Sequence, residues 1–337
     1  MNGMFDRVSP QTLRLVALFL ALLATVLFFS TQIEGYLSAR MFNRISTSAA
    51  VVLPIAVGQA IVIMTRNIDL SAGSILGVVA YMTGQALGAF PEMHPVVAVL
   101  LAMGIGACAG AINGLLVAVG QVPSIIVTLG TLALYRSFLV EYSDATTITT
   151  ASLPSWLVDL PQKSLFSIGA LDVRVTVVLA LVAAAVVGLA LSRLRAARKF
   201  LAVGSNPDAA RMAGIDAPRV VFVAFVLAGA LAGLSGFIFL AKFGNITVVA
   251  GLGFELKSIA AVVVGGVSIM GGSGTILGVL MGTVLVDTID NSLTRWEMIS
   301  EFWRDALLGM LIMAAVTVDT LAARQLARLR GRDGGGQ

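Results

Sequence analysis

The sequence is poor in the residues on which metal sites and disulfides depend. Its 337 residues include one cysteine, Cys108, and one histidine, His94, and only 12% of them are charged. A single cysteine excludes a disulfide or a thiolate cluster within one chain. A lone histidine in a short turn (PEMHP) is more often solvated than bound to a metal. The sequence therefore predicts no metal site.

Motifs for phosphate binding and hydrolysis are missing as well. No G-x-x-x-x-G-K-[ST] occurs, and the glycine-rich stretch at 271–278 (GGSGTILG) contains no lysine. Neither H-E-x-x-H nor G-x-S-x-G is present. We therefore expect a chain that is not an enzyme on its own, that binds no nucleotide or other cofactor itself, and that has no nucleic-acid partner.

What the sequence has in abundance is apolar residues. They make up 58% of the chain, and the mean hydropathy is +0.96. Runs of about 20 apolar residues are long enough to cross a bilayer as helices. The sequence therefore predicts an all-α, polytopic transmembrane bundle in contact with membrane lipid. Its ten segments are 12–30, 46–65, 70–90, 96–119, 123–140, 175–191, 220–241, 258–270, 274–289 and 306–319. The eighth and ninth are too short to span comfortably, so eight spans remain an alternative.

Charges between the segments indicate which loops face the cytoplasm. Loop 192–219 carries six Lys or Arg residues against two Asp, and the stretch 321–337 carries four Arg against one Asp. The stretches 141–174 and 290–305 are rich in acids instead. Because Lys and Arg concentrate in cytoplasmic loops, ten spans with both termini in the cytoplasm fit best. The expected organisation is a cytoplasmic N-terminus at 1–11, one membrane domain at 12–320, and a basic cytoplasmic tail at 321–337.

The chain's 35 glycines are more than loops need, and several recur every four residues. Such spacing puts them on one helix face, where missing side chains let a neighbouring helix approach closely. An acid also precedes the third and the eighth segments. Together these patterns pair segments two to five with segments seven to ten, which run in opposite directions, as in the inverted repeats of transporters; chance is the alternative. The glycine sets are Gly106, Gly110 and Gly114; Gly229 and Gly233; and Gly274, Gly278 and Gly282.

Three acids near span ends are candidates for a role in transport. Asp69 (NIDLSAGSI) and Glu255 (GFELKSIAA) precede the third and eighth segments, and Asp287 lies near the end of the ninth. Such acids either couple ions to transport or lie at the interface, hydrated or capping a helix. Asp69 and Glu255, with Ser71, Gly73 and the three glycines of the ninth segment, are our candidates for pathway or packing residues.

The basic loop contains a short predicted helix. Asn206 is a suitable N-cap, Pro207 suits the first helical position, and Gly214 is a natural stop. Because about seven residues make no stable helix in water, neighbouring spans must hold it. We expect it to dock on a separate motor subunit, with Met212 and Ile215 as an apolar knob; an ordinary capped loop is the alternative. The residues predicted to couple are Asn206, Pro207, Asp208, Ala209, Ala210, Arg211, Gly214 and Ile215.

Four stretches resemble the membrane subunits of sugar-type ATP-binding-cassette importers. They are TRNIDLSAGSILG at 65–77, QVPSIIVTLGTLALYRS at 121–137, AVGSNPDAARMAGI at 202–215 and GFELKSIAAVVVGGVSIMGGSGTILGVLMG at 253–282. They occur in the family's order, and the resemblance covers about residues 46–320. TRNIDLS and YRS look more like the rhamnose and autoinducer-2 importers than the ribose importers.

The resemblance implies a permease of the bacterial inner membrane that pairs with a second copy or a paralogue. It implies two cytoplasmic ATPase subunits that bind the ATP, a periplasmic sugar-binding protein that delivers substrate, and a coupling helix at 206–215. Two other functions stay open from the residues alone. One is an ion-coupled secondary carrier that uses Asp69 or Glu255, and the other is a passive channel or membrane scaffold.

Overall fold

Helices joined by short loops account for nearly all of the described chain. The computed structural model describes residues 10–296 and, beyond them, Trp303, Ala306, Gly309, Met310, Met313 and Thr317. The helices are α1 Pro10–Gln32, α2 Ala39–Met64, α3 Ala72–Ala89, α4 Pro95–Ala118, α5 Ser124–Ser143, α6 Ser155–Asp159, α7 Val175–Arg193, α8 Arg195–Ser205, α9 Pro207–Met212, α10 Ala217–Phe243, α11 Phe254–Val264 and α12 Ile276–Arg295. An antiparallel hairpin, β1 Ser164–Ile168 and β2 Leu171–Arg174, precedes α7.

Eight of these helices are long and apolar enough to cross a membrane: α1, α2, α3, α4, α5, α7, α10 and α12. Each coincides with one of the ten predicted segments, so the all-α polytopic fold is confirmed. The eighth segment corresponds to α11, whose 11 residues reach about 16 Å and cannot span. The expectation that the ninth segment is short is wrong, because α12 has 20 residues. The tenth segment, 306–319, falls almost wholly outside the described residues.

The two sides of the bundle are marked by α9 and by the hairpin. Helix α7 begins beside β2 and ends beside α8, so the two features lie at opposite ends of it. The guanidinium of Arg14, at the start of α1, donates to the carbonyl of Gly266, 3.1 Å away in the loop before α12. The amide of Gly272 in that loop donates to the carbonyl of Met64 at the end of α2. We call this end of the bundle the α9 side and the opposite end the hairpin side.

Helices α2 and α10 form the centre of the bundle. Every residue of α2 from Ala49 to Met64 is buried, and α10 packs along it. Pro54 lies inside α2, where its ring disrupts the helical hydrogen-bond ladder. The amide of the next residue, Ile55, donates instead to the hydroxyl of Ser235 on α10, at 3.0 Å. A side chain of one central helix thus satisfies the backbone of the other.

The glycine sets pack as predicted, with one exception. On α4, Gly106 and Gly110 face Gly229 and Gly233 of α10 so closely that a methyl group would collide with backbone. Helix α12 approaches the end of α11 in the same way through Gly278 and Gly282. Gly274 is the exception, because it precedes the N-cap of α12, Thr275, and therefore does not share that helix face.

The packing of the two halves agrees with an inverted repeat. Helices α2 and α10 run in opposite directions, since α2 ends and α10 begins on the α9 side. Helix α4 packs on α10 as α12 packs on α2, and α3 packs on α10 as α11 packs on α2. The fourth element of the second half is segment 306–319, outside the described residues. The glycines do not obey the repeat, because those of α4 face α10 whereas those of α12 face α11.

Candidate functional site

The starts of α3 and α11 meet inside the bundle. Gly73, in the first turn of α3, lies against Gly251 and against Glu255 in the first turn of α11. A methyl group on Gly73 would collide with Oε2 of Glu255 and with the carbonyl oxygen of Gly251. One turn further along α3, Leu76 and Val79 pack on Gly236 of α10. This contact between two helix starts, which we call the half-helix junction, therefore lies well inside the bundle and requires glycine at 73.

Each helix start follows a stretch of irregular backbone. Residues 66–71 lead into α3 from the α9 side, and residues 244–253 lead into α11 from the hairpin side. Irregular backbone at membrane depth is found only where it is buried in protein or lines a water-filled cavity. Partial positive charge accumulates at helix N-termini, so the junction brings two such ends together. Of the two helices, α11 is too short to span, and transporters form binding sites at the N-termini of such interrupted helices.

Asp69 is buried at the α3 side of the junction. Its Oδ1 accepts hydrogen bonds from the amide and the hydroxyl of Ser71, at 2.9 and 2.6 Å, and the residue is 1% exposed. The Ser71 hydroxyl also accepts from Nδ2 of Asn113 on α4, at 2.7 Å. Tyr135 on α5 donates to the carbonyl of Ala109, one turn before Asn113, at 2.8 Å. These bonds order the start of α3, and the choice between ion coupling and helix capping for Asp69 stays a prediction.

Glu255 occupies the corresponding place on α11. It is buried, and its Oε1 accepts from the amide of Gly253 at 3.2 Å. Its Oε2 faces Gly73. Among the described residues neither this oxygen nor Oδ2 of Asp69 has a hydrogen-bond partner. Each acid therefore binds its own chain through one oxygen and leaves the other unsatisfied, which is costly in an apolar interior unless a further partner arrives.

Arg136 on α5 fixes the irregular stretch before α11. Its Nη1 donates to the carbonyls of Val248 and Ala250, at 3.0 and 2.6 Å. Sequence reasoning used Arg136 only as part of a family motif and missed this role. The same stretch exposes the apolar side chains of Val249 and Leu252, and Leu256 of α11 is also exposed. A face of irregular backbone and exposed apolar side chains is thus held in place by one arginine.

A buried ion cluster joins α11 to α12. Nζ of Lys257 lies 2.8 Å from Oδ1 of Asp287 and 2.6 Å from Oδ2 of Asp290. The side chains are 10%, 0% and 15% exposed, respectively. Of the two alternatives given for the acids, a hydrated position does not fit Asp287, because its carboxylate is fully buried and paired with Lys257. Lys257 and Asp290 were missed, although two acids three residues apart and a single lysine in an apolar helix were visible signals.

The short helix predicted in the basic loop is present as α9, six residues long. Oδ1 of Asn206 accepts from the amides of Asp208 and Ala209, at 3.1 and 3.0 Å. Gly214 follows in the left-handed conformation, with φ 75°. The cap, the first-turn proline and the stop thus agree with the prediction.

Two of the residues predicted to couple, Ala210 and Ile215, pack against the bundle and not on an outer docking surface. Ala210 is buried in a small cluster with Val203 of α8 and Ala217 of α10. Ile215 packs on that cluster and so does not form part of an outward knob. Met212 is 84% exposed and projects away from the bundle with Arg211. The loop is therefore anchored on one face and presents a single large apolar side chain on the other.

Charge on the α9 side is strongly basic. All six Lys and Arg residues of loop 192–219 are exposed, and of these only Arg219 makes an ion pair among the described residues, with Asp216 at 2.8 Å. Within the described residues no three His, Cys, Asp or Glu side chains lie close enough to hold a metal ion. The site therefore combines an internal junction with a basic, exposed loop.

Comparison with known proteins gives a consistent result. The protein family described as "Branched-chain amino acid transport system / permease component" matches residues 41–316. The autoinducer 2 import system permease protein of Enterobacter sp. (strain 638) is 35% identical over 315 residues, which are 94% of this chain and 89% of that protein. Those of Escherichia coli O9:H4 (strain HS) and Salmonella typhi are each 35% identical, covering 89% of this chain and 85% and 84% of the relatives. No solved structure matches the chain significantly.

Proposed function

Because this chain belongs to the family of branched-chain amino acid transport system permease components, we propose that it forms the membrane pathway of an ATP-driven importer. The observation that carries the proposal is the half-helix junction, where two helix N-termini meet inside a membrane bundle and each has an incompletely bonded acid beside it. Helix N-termini at membrane depth favour binding of oxygen-rich or anionic groups. ATP is bound by a separate subunit, since this sequence has no phosphate-binding lysine motif.

The proposed substrate is a sugar-like, oxygen-rich small molecule. The curated relatives are named as permeases of an autoinducer 2 import system, and autoinducer 2 is therefore the first compound to test. A substrate-binding protein on the hairpin side would deliver it, as the permease description of the family supports in general terms. The hairpin side then faces the periplasm and the basic α9 side the cytoplasm of a bacterial inner membrane, as the distribution of Lys and Arg supports.

The pathway is proposed to lie between two permease copies, or between this chain and a paralogue. Residues 244–253 are irregular, and Val249 and Leu252 are about two-thirds exposed on that stretch. Such backbone needs protein or a water-filled cavity beside it. A second permease placed over this face would cover the apolar side chains and leave the junction at the edge of a shared channel.

The α8–α9 loop is proposed as the contact with the ATPase subunit. Ala210 fixes α9 to α8 and α10, so the loop moves with the bundle, while Met212 and Arg211 are free to enter a partner's surface. An exposed methionine is suited to such a contact because its flexible side chain fits irregular apolar pockets.

Co-purification from native membranes tests this function, with ATPase activity measured on the product. In Gly214→Pro the ring cannot adopt the native φ of 75°. The hydrogen bond from the amide of residue 214 to the carbonyl of Arg211 is also lost. Gly35→Pro is the matched control, because Gly35 has φ 64°, equally open surroundings, and lies in the loop on the hairpin side. We expect an ATPase subunit with wild type and Gly35→Pro, and its loss or uncoupling in Gly214→Pro. Recovery of the chain alone in every case would refute the importer.

An ion-coupled carrier is the second candidate, favoured by the unsatisfied oxygens of Asp69 and Glu255. Buried acids with spare oxygens are the usual sites of proton or cation coupling in carriers. This function requires that the chain alone accumulate substrate in vesicles when a proton or sodium gradient is imposed. Uptake that needs ATP and is insensitive to collapse of the gradient would exclude it.

A further inference from the structure

Three segments of backbone meet on the α9 side of the bundle. The carbonyl of Met64, the last residue of α2, accepts from the amide of Gly272 in the loop before α12, at 3.0 Å. Gly204, near the end of α8, lies directly against the same carbonyl, and a methyl group there would overlap it. The ends of α2 and α8 and the loop before α12 are therefore in backbone contact.

Arg66 binds this meeting point with its side chain. Its Nε donates to the carbonyl of Gly204 at 2.5 Å, and its Nη2 donates to the carbonyl of Ser205 at 2.7 Å. Those are the last two carbonyls of α8, which have no partner within the helix, and a cation is favoured there by the helix dipole. The next residue, Asn206, is the N-cap of α9. The guanidinium thus holds the chain directly before the proposed coupling helix.

The backbone of Arg66 is also unusual. Its φ is 65°, the left-handed conformation that glycine adopts most readily. Its amide donates to the carbonyl of Ile63, and that of Asn67 donates to Val62, which closes the C-terminal turn of α2. Glycine would satisfy the same turn without strain. Arginine at this position therefore carries a conformational cost, and we expect its side chain to have a role that offsets the cost.

From Arg66 the chain leads directly to the half-helix junction. Residues 66–71 are irregular and end at Ser71, which bonds Asp69 and precedes α3. On the other side of Arg66, Gly271 packs against its side chain and belongs to the loop that joins α11 to α12. A displacement of the end of α8 would therefore act on the segment that begins α3 through the side chain of Arg66, in addition to the backbone contact of Gly204 with Met64.

We propose that Arg66 is a positioning residue that transmits movement of the α8–α9 loop to the start of α3. The proposal rests on the proposed function, since it presumes that an ATPase moves the loop. Its two hydrogen bonds fix the loop to the 66–71 segment, so the two move together. Without them, the loop still binds its ATPase but no longer shifts the half-helix junction.

The test uses the permease complex with its co-purified ATPase in proteoliposomes and labelled autoinducer 2 as the probe. Arg66→Gly removes both bonds and relieves the left-handed strain, so it separates transmission from stability. Arg66→Lys keeps the charge without the paired donors. Gln121→Gly is the matched control, because Gln121 follows α4 on the α9 side with φ 53° and has an exposed side chain.

We expect Arg66→Gly to lose uptake by about tenfold or more, the scale of a typical coupling energy. ATP hydrolysis should continue, and the unfolding temperature should be unchanged or higher. Arg66→Lys should fall between this variant and wild type, and Gln121→Gly should transport normally.

Three results would overturn the proposal. Wild-type uptake by Arg66→Gly would leave the importer intact and remove the role of Arg66. Loss of the ATPase subunit or a lower unfolding temperature in Arg66→Gly would mean that Arg66 only stabilises the fold. Uptake by the wild-type complex without ATP would refute the proposed function itself, and the transmission role with it.

Discussion

Replacing Lys257 by methionine is expected to destabilise the bundle by about 3–4 kcal/mol at pH 7. The substitution keeps an unbranched apolar stem but leaves Asp287, which is fully buried, without the ammonium 2.8 Å away. Removing one partner of a buried ion pair typically costs about 3–5 kcal/mol.

Unfolding of the detergent-solubilised protein, followed by tryptophan fluorescence, measures the effect. Neutralising the orphaned acid in the double variant Lys257→Met/Asp287→Asn should restore part of the stability at pH 7.

Arg219→Met is the control for this experiment, because Arg219 and Asp216 form a bond of the same length, 2.8 Å, on an exposed loop. Exposed pairs contribute at most about 1 kcal/mol, so this variant should be close to wild type. The reasoning fails if Lys257→Met unfolds like Arg219→Met.

Two further predictions concern the junction and the loop. Gly73→Ala should abolish uptake, because the added methyl group would collide with Glu255. It should also destabilise the bundle by about 1–3 kcal/mol, the usual cost of overpacking. The control Gly104→Ala, at an open position on α4, should change neither result in the same uptake and unfolding assays. Asn206→Ala should destabilise α9 by about 1 kcal/mol, because the helix loses its N-cap. The amides of Asp208 and Ala209 should then exchange hydrogen faster, while exchange in α10 is unchanged. Equal exchange in wild type and variant would show that Asn206 does not cap α9.

The spans could be predicted because a single property determines them. Apolar runs near 20 residues have few alternatives to a membrane helix, and the eight long helices follow the runs. Helix α9 was equally accessible, because its cap, proline and glycine are local signals that act within a few residues. The extension of α12 to Arg295 could not be predicted, because the polar residues Asp287, Asp290 and Asn291 are typical of the end of a span. These residues lie within α12 because Lys257 pairs with the two aspartates inside the bundle.

Partners of polar residues could not be predicted, because they lie far away along the chain. Arg66 bonds carbonyls at the end of α8, Arg136 bonds carbonyls before α11, and Lys257 bonds two acids of α12. Each pair depends on how helices cross, which hydrophobic periodicity does not specify. Ile215 shows the same limit on a smaller scale, because its neighbours in α10 turn it inward.

The junction itself shows why ranking single acids misleads in such a protein. Asp69 and Glu255 look alike in sequence, because each precedes an apolar run. One carboxylate oxygen of each accepts a hydrogen bond from a backbone amide two residues away. What brings Glu255 onto the start of α3 is Gly73, with no side chain to keep the two helix starts apart. The property that matters for transport is the contact between two helix N-termini inside the membrane. Neither acid alone produces this contact. It follows from the small residue between them, and a glycine at the start of a half-helix is a better signal of such a site than the carboxylate beside it.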